Sequence, residues 1–317
     1  MANSGSSPPD KMALALAYRE ENGRCYCPYR DCPLPIDDVE QDRLDIMHKF
    51  FTVAREDHGE SPGQKRSEKG LHARPLLCNG PPRILDLGCG TGIWCNDMAD
   101  HYPGANILGW DLCLRMQPDR MPFGVYYQPQ DISDPTWDLE PNSMDLIHMR
   151  LLGGCVPDWR AVYQNVFNHL KPGTGLFEHI EIDYRPISYN NTLPENSSVN
   201  RWMKAVYGAY EQSGRPLFPK EDLHNTLSQL GFTDIMHEDQ EIPYHPWPEN
   251  EHLREISRWF NLAMQSAIPA ISLAPLTRYA GWSAKEVTIL NADVKREICM
   301  RPMEFSCRMH IWHARRP

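Results

Sequence analysis

The sequence predicts an α/β protein with a doubly wound, mostly parallel sheet. Three observations carry this. Short apolar strands alternate with helix-length patterns from Arg83 to Ile182, the rhythm of strands joined by crossover helices. The first of these strands runs straight into a glycine-rich turn and a helix. The last strand pattern, Met303 to His313, has no helix after it.

The elements follow in order. Residues 1–10, MANSGSSPPD, are rich in Ser, Pro and Gly, and 1–17 is expected to be a disordered tail. Leu44, Met47, Phe50, Phe51 and Ala54 recur at helical spacing, so 39–54 reads as a helix. The polar stretch 56–69 reads as an exposed loop. Arg83–Leu87 is a short apolar strand, and Thr91–His101 a helix stopped by Pro103 and Gly104. Strands follow at 105–112, 125–129 and 144–149. The helix at 159–170 puts Val162, Val166, Phe167 and Leu170 on one face and ends at Lys171-Pro-Gly173. A fifth strand spans 175–182. Beyond it, 199–212 and 220–230 read as helices, 232–242 as a strand, and 251–266 and 283–300 as long helices. The reading is one domain: an N-terminal lid and helix at 18–70, then a domain at 71–317 with helical insertions at 186–231 and 244–302.

Composition narrows the function classes. The 317 residues carry 32 Lys and Arg against 42 Asp and Glu, a formal charge of −10, which argues against direct nucleic-acid binding. A 41 % hydrophobic content is enough to build a core. No secretory signal is visible at the N-terminus, and no run reaches the ~20 apolar residues of a membrane span. Ten cysteines, several inside predicted strands and helices, suggest reduced thiols in an intracellular compartment. On that reading the sequons at Asn190 and Asn196 are chance matches. The 28 prolines are scattered, as expected of many short elements with stiff connections.

The chemistry concentrates in Ile84-Leu-Asp-Leu-Gly-Cys-Gly-Thr-Gly92. A strand ending in such a turn brings backbone N–H groups and a helix N-terminus toward a ligand. Dinucleotides and S-adenosylmethionine both use this arrangement, and spacing separates them. A dinucleotide fingerprint would place its third glycine at Ile93. Here the glycines fall at 88, 90 and 92 with an acid at Asp86, the D-x-G-x-G-x-G pattern of S-adenosylmethionine binding. Asp86 can reach the ligand's α-amino group, and N–H groups of Gly88, Cys89, Gly90 and Gly92 its carboxylate. Asp111, ending the second strand, is placed for the ribose hydroxyls beside Leu112. Asp131 can accept from the adenine amino group while Ile132 packs on the ring. The competing reading makes Asp131 a turn residue and Asp111 a helix cap.

With these residues assembled, the sequence resembles the class I methyltransferases, and more narrowly the LaeA-like family of fungi. The likeness is carried by Glu21-Asn-Gly-Arg24, Glu40–Ile46, Ile84–Ala99, Trp137–Leu152, His169–Gly175, Glu178–Asp183 and Thr192-Leu-Pro194. It continues in Tyr244-His-Pro-Trp-Pro248, Glu255–Trp259, Ala274–Arg278 and Arg296–Cys299. It implies a Rossmann-like seven-stranded sheet, mostly parallel with the last strand antiparallel, and S-adenosyl-L-methionine at the carboxyl ends of the first strands. It also implies an N-terminal lid from which Tyr18, Asn22, Arg24 and Tyr26 touch the cofactor. Some members regulate secondary metabolism and development in the nucleus with velvet-domain partners; others methylate a small molecule. The chain departs from the regulator pattern at Cys25, Cys27, Cys32 and at Gly109-Trp-Asp111, so regulator, biosynthetic O- or N-methyltransferase, and cofactor-binding scaffold all stand. Nucleus and cytoplasm are the expected locations.

Methyl transfer is an in-line displacement in which the protein aligns the groups and excludes water. A base is needed only for an acceptor that arrives protonated. His148, Met149 and Arg150, after the fourth strand, are expected near the methyl group. Met149 is assigned to the cofactor, and Arg150, with Glu178, to the substrate. His179 and Glu181, on one face of the fifth strand, are with His148 the candidate catalytic bases, against the alternative of bonding within the sheet. Cys25, Cys27 and Cys32 have atypical zinc spacing and no clear fourth ligand, so no metal is assigned.

Overall fold

Parallel strands flanked by crossover helices leave the strand carboxyl ends as the place for a site, and this chain builds that arrangement. The computed structural model describes residues 15–56, 70–188, 192–220, 222–300 and 302–317. Most of the expected tail, the expected loop and Asn190 lie outside them. The sheet contains β3 (Arg83–Leu87), β4 (Asn106–Asp111), β5 (Val125–Pro129), β6 (Leu146–Arg150), β7 (Leu176–Ser188), β8 (Thr233–Pro243) and β9 (Phe305–Arg315). Their order is β5-β4-β3-β6-β7-β9-β8, and β9 runs antiparallel to both neighbours while the other pairs are parallel. This is the expected seven-stranded sheet. A small hairpin, β1 (Arg19–Glu21) with β2 (Arg24–Tyr26), precedes it.

Helix α1 (Asp38–Arg55) is capped by Asp37, whose side chain accepts from Glu40 N. The others are α2 (Ile93–His101), α3 (Trp159–His169), α4 (Ser198–Gln212), α5 (Leu223–Gln229), α6 (Glu251–Arg278) and α7 (Ala284–Glu297). One core joins α3 and α5 to Leu85, Leu87, Ile147, Met149 and Phe177. On the other face, α2 packs on Ile84, Ile107 and Leu146. Beyond it α1, α4, α6 and α7 pack together with Ile180, Ile182 and β9. No helix among the described residues is long and apolar enough to cross a membrane.

Two expectations are corrected. α6 does not stop near Ser266 but runs 28 residues through Pro269 and Pro275. Each proline removes a backbone donor, yet burial of Phe260, Ala263, Ala267, Ile268, Ile271 and Ala274 against neighbouring helices holds the helix together. α5 is shorter than expected because Asp222 caps it by accepting from Asn225 N.

Candidate active site

Strand parity decides what reaches the site. On β3 and β6, Asp86, His148 and Arg150 face α1 and α2, while Leu87, Ile147 and Met149 enter the α3 core. The cleft lies at the carboxyl ends of these strands and encloses about 1160 Å³, mouth included. The turn from Gly88 to Thr91 forms one side. Asp111, Leu112, Asp131 and Ile132 form another, and Glu40, Arg43, Leu44 and Met47 of α1 close a third. Of the residues assigned to the cofactor, Asp86, Gly88, Cys89, Gly90, Asp111, Leu112, Asp131 and Ile132 line this cleft.

The glycine turn works by shape rather than by free donors. Gly88 has φ +71°, and a Cβ there would fall 2.3 Å from Leu152 Cδ2. The N–H groups of Gly88 and Cys89 donate to Trp110 O at 2.8 and 2.9 Å, that of Gly90 to Asp111 Oδ2 at 2.9 Å, and that of Gly92 to Cys89 O at 2.9 Å. These amides, expected to meet a carboxylate, are spent inside the fold. Gly92 does not line the cleft either. It sits at φ +77° at the start of α2, where a Cβ would lie 2.1 Å from the Tyr127 hydroxyl.

Asp111 accepts from Gly90 N with one oxygen and from Cys113 N with the other, at 2.9 and 3.0 Å. Its carboxylate oxygens have lone pairs beyond these two bonds. Burial pushes its carboxyl up to about 6, against those backbone donors. Asp131 Oδ2 is buried, stands 2.7 Å from Arg30 Nε and receives no aligned hydrogen bond. Two acids on adjacent strand ends, an apolar Ile132 lining the same wall and a turn tight enough to exclude a Cβ suit a ribose and an adenine. The described residues therefore fit the cofactor expected from the motif.

Beneath the turn lies a buried polar chain. His148 Nδ1 donates to Asp86 Oδ1 at 2.7 Å, and Cys95 Sγ donates to Asp86 Oδ2 at 3.5 Å. Trp94 stacks on the imidazole with centroids 3.9 Å apart. His148 Nε2 faces Glu178 Oε1 at 3.9 Å, and Glu178 Oε2 takes bonds from Arg55 at 2.9 Å and Ala73 N at 2.5 Å. Burial lowers the His148 pKa, outweighing Asp86. Burial raises that of Glu178, but Arg55 and His148 together outweigh it and the net shift is downward. His148 lines the cleft with Nδ1 held by Asp86 and Nε2 buried toward Glu178, so neither nitrogen opens into the cleft.

Arg150 lies over the Phe51 ring, 4.6 Å from its centroid, with Nη2 3.2 Å from His48 Nδ1. Burial lowers its pKa to about 10. Among the described residues no carboxylate lies within ion-pairing distance of it.

The remaining assignments are corrected. Met149 is fully buried in the α3 core because it alternates away from Arg150. His179 is buried among Trp159, Tyr163 and Trp312, and its Nε2 meets Glu181 Oε1 at 3.1 Å. Glu181 also accepts from Leu152 N and Gly153 N, at 2.7 and 3.2 Å, so the pair holds the turn behind the cleft instead of lining it. Glu178 is sealed under the cleft by Arg55. Arg24 forms a fork-to-fork pair with Asp37 at 2.7 and 2.8 Å, anchoring the α1 cap. Tyr18 is half exposed under Arg115.

Sequence reasoning missed Glu40 and Arg43, a buried ion pair at 2.6 Å on the cleft side of α1. The signal was present: both lie one turn from Leu44 and Met47, on the stripe that helical spacing assigns to the core. It also missed Cys32 and Cys155, which no local pattern joins. Among the described residues, no group of three or more His, Cys, Asp or Glu is arranged to hold a metal.

Comparison with known proteins adds to this geometry. A family profile described as a methyltransferase domain matches residues 62–237. The secondary metabolism regulator LAE1 of Cochliobolus heterostrophus is 40 % identical over 303 residues, covering 94 % of each chain. The secondary metabolism regulator laeA of Monascus pilosus is 40 % identical over 321 aligned positions, covering all of this chain and 83 % of that one. The protein-methionine methyltransferase laeA of Emericella nidulans is 38 % identical over 303 residues, covering 95 % and 77 %.

Proposed function

The chain belongs to the LaeA/LAE1 family of S-adenosylmethionine-dependent methyltransferases, and from that premise we propose that it methylates a protein methionine as a regulator of secondary metabolism. The observation that carries the acceptor is that, among the described residues, none of the three candidate bases turns a free nitrogen or oxygen into the cleft. His148 holds Asp86 with Nδ1 and keeps Nε2 buried toward Glu178, while His179 and Glu181 lie behind the turn. A thioether sulfur brings no proton to the reaction, so it needs none of these groups as base. The protein-methionine methyltransferase of Emericella nidulans supports the same acceptor class.

S-adenosylmethionine supplies an activated methyl group. Asp111 would hold the ribose hydroxyls and Asp131 the adenine amino group, with Ile132 on the ring and Asp86 toward the amino-acid end. The apolar walls, Leu44, Met47 and Leu152, would exclude water and seat an uncharged sulfur. The regulatory role is read from the names of the relatives. Velvet-domain proteins as partners, and the nucleus and cytoplasm as locations, belong to the same proposal. The net charge of −10 favours action through basic partners over direct contact with DNA.

The test is incubation with methyl-labelled S-adenosylmethionine, alone and with nuclear extract, followed by peptide mapping. S-methylmethionine in a protein, lost in Asp111→Asn, is the expected result. Label found only on small molecules would overturn the protein-acceptor reading. One observation favours that second reading: Arg150 presents to the cleft a guanidinium that has no carboxylate partner among the described residues, as an acidic small substrate would require. Arg150→Met would then raise KM for such an acceptor while leaving cofactor affinity in place.

A further inference from the structure

Two cysteines from distant parts of the chain meet inside the cleft. Cys32 comes from the N-terminal segment and Cys155 from the turn after β6, and their Sγ atoms are 3.5 Å apart. Both line the cleft, together with Asp111 and Ile132. Neither belongs to the cofactor-binding set or to the buried chain beneath it. We propose that Cys32 and Cys155 form a reversible disulfide that locks the N-terminal segment across the cofactor cleft.

The geometry favours bond formation. A disulfide needs the sulfur atoms to close by about 1.5 Å, from 3.5 Å to ~2.05 Å. Both lie in irregular segments. The bond between the thiols also prepares a nucleophile. With Cys155 as donor, its S–H holds the Cys32 pKa below the ordinary thiol value, and the Arg215 guanidinium acts in the same direction. The nearby Cys27, by contrast, is pushed up to about 11 by burial.

The chemistry balances with a hydroperoxide as oxidant. The Cys32 thiolate attacks the peroxide, forming a sulfenic acid as the O–O bond breaks and, with hydrogen peroxide, one water leaves. The Cys155 sulfur then attacks the sulfenyl sulfur, the S–S bond forms and a second water leaves. Two thiols lose two electrons and two protons; the peroxide gains both. A dithiol reverses the change by exchange.

The consequence follows from what holds the segment now. Arg278 pairs with Glu21 at 2.7 Å and Asp31 at 3.2 Å, and Arg30 pairs with Asp131 and Asp134 at 2.7 and 2.8 Å. Ion pairs of this kind separate without any covalent change. A covalent bridge does not, so ligand exchange past the locked segment slows. That consequence rests on the cleft being the cofactor site; formation of the bridge does not.

The experiment treats the full chain with stoichiometric hydrogen peroxide, blocks free thiols and maps peptides without reduction. S-adenosylhomocysteine binding is then measured before and after dithiothreitol. A 32–155 cross-linked peptide is expected, with ligand exchange slowed at least tenfold and restored by the dithiol. Cys32→Ser and Cys155→Ser, each compared with its own reduced form, should show no such slowing. Absence of the cross-link in the wild-type chain overturns the proposal, as does equal slowing in the two variants. A cross-link that leaves exchange unchanged overturns the locking. Failure of the reduced wild-type chain to bind the ligand at all would instead refute the cofactor reading, while the cross-link map would still decide whether the bridge forms.

Discussion

Replacing Asp111 by Asn tests the cleft where its geometry is best defined. In the wild-type chain each carboxylate oxygen accepts one backbone N–H, from Gly90 or Cys113. Asn keeps the shape and one acceptor, but its amide turns an N–H toward one of those donors. A neutral group also stands where a charged acceptor would meet the ribose hydroxyls. A hydrogen bond to a charged group contributes about 1.5–3 kcal/mol. S-adenosylhomocysteine affinity near neutral pH should therefore fall roughly ten- to a hundredfold. The pH profile sharpens the test. Burial holds the Asp111 carboxyl at about 6, above its ordinary 3.8. Between these values the empty fold binds more protons than the unfolded chain, so its stability rises as pH falls through that window. The gain is at most about 3 kcal/mol, and smaller in practice because Asp111 is only half-buried. Ligand affinity should move the other way, weakening as pH drops below about 6. Calorimetry across pH, beside urea unfolding of the empty chain, reads both. An Asn variant that binds as tightly as the wild type, or a wild-type affinity that stays flat well below pH 6, would refute the assignment.

Three further outcomes are expected. Glu178→Leu strands Arg55 in the interior, so unfolding free energy should drop by about 3–5 kcal/mol. Because the folded pKa of Glu178 lies below its ordinary 4.5, the stability it contributes is complete above that value and lost on acidification, and urea titration of the Leu variant should lack this acid step. Glu181→Gln keeps an acceptor for Leu152 N and should leave methyl transfer within about threefold, whereas loss of a true base would cost 10²–10⁴-fold. Gly92→Ala combines a left-handed backbone with a Cβ 2.1 Å from the Tyr127 hydroxyl, so thermal unfolding should show a loss of about 1–3 kcal/mol. Adding Tyr127→Ala should relieve the collision but not the backbone cost.

The short strands β3 to β6 were legible in the sequence as runs bounded by Gly, Pro or a charged residue, and Arg83–Leu87 and Val125–Pro129 match their predicted limits. The acids that end β4 and follow β5 were legible too, since position along a strand fixes which end of the sheet a residue occupies. What a sequence does not display is which helix covers each face. His179 and Glu181 share a face, as alternation requires, but it is the α3 face rather than the cleft. Met149 is lost by the same rule. Arg24 is a cofactor contact only by family resemblance, and its actual partner, Asp37, 13 residues on, shows in no local pattern. α6 shows the reverse error, in which local proline chemistry was given more weight than tertiary packing.

The sheet order also has a consequence for how this chain is made. Among the described residues β8 pairs with β9 alone, at the edge of the sheet. Between the end of β8 at Pro243 and the start of β9 at Phe305, the ribosome must first deliver α6 and α7. During that interval β8 has no partner strand to join, and its backbone donors and acceptors are an open template for other nascent chains. The composition of β8 answers this hazard. Asp234, Glu238, Asp239 and Glu241 place four acids among its 11 residues, enough like charge to keep two waiting copies apart until β9 emerges and takes its place between β7 and β8.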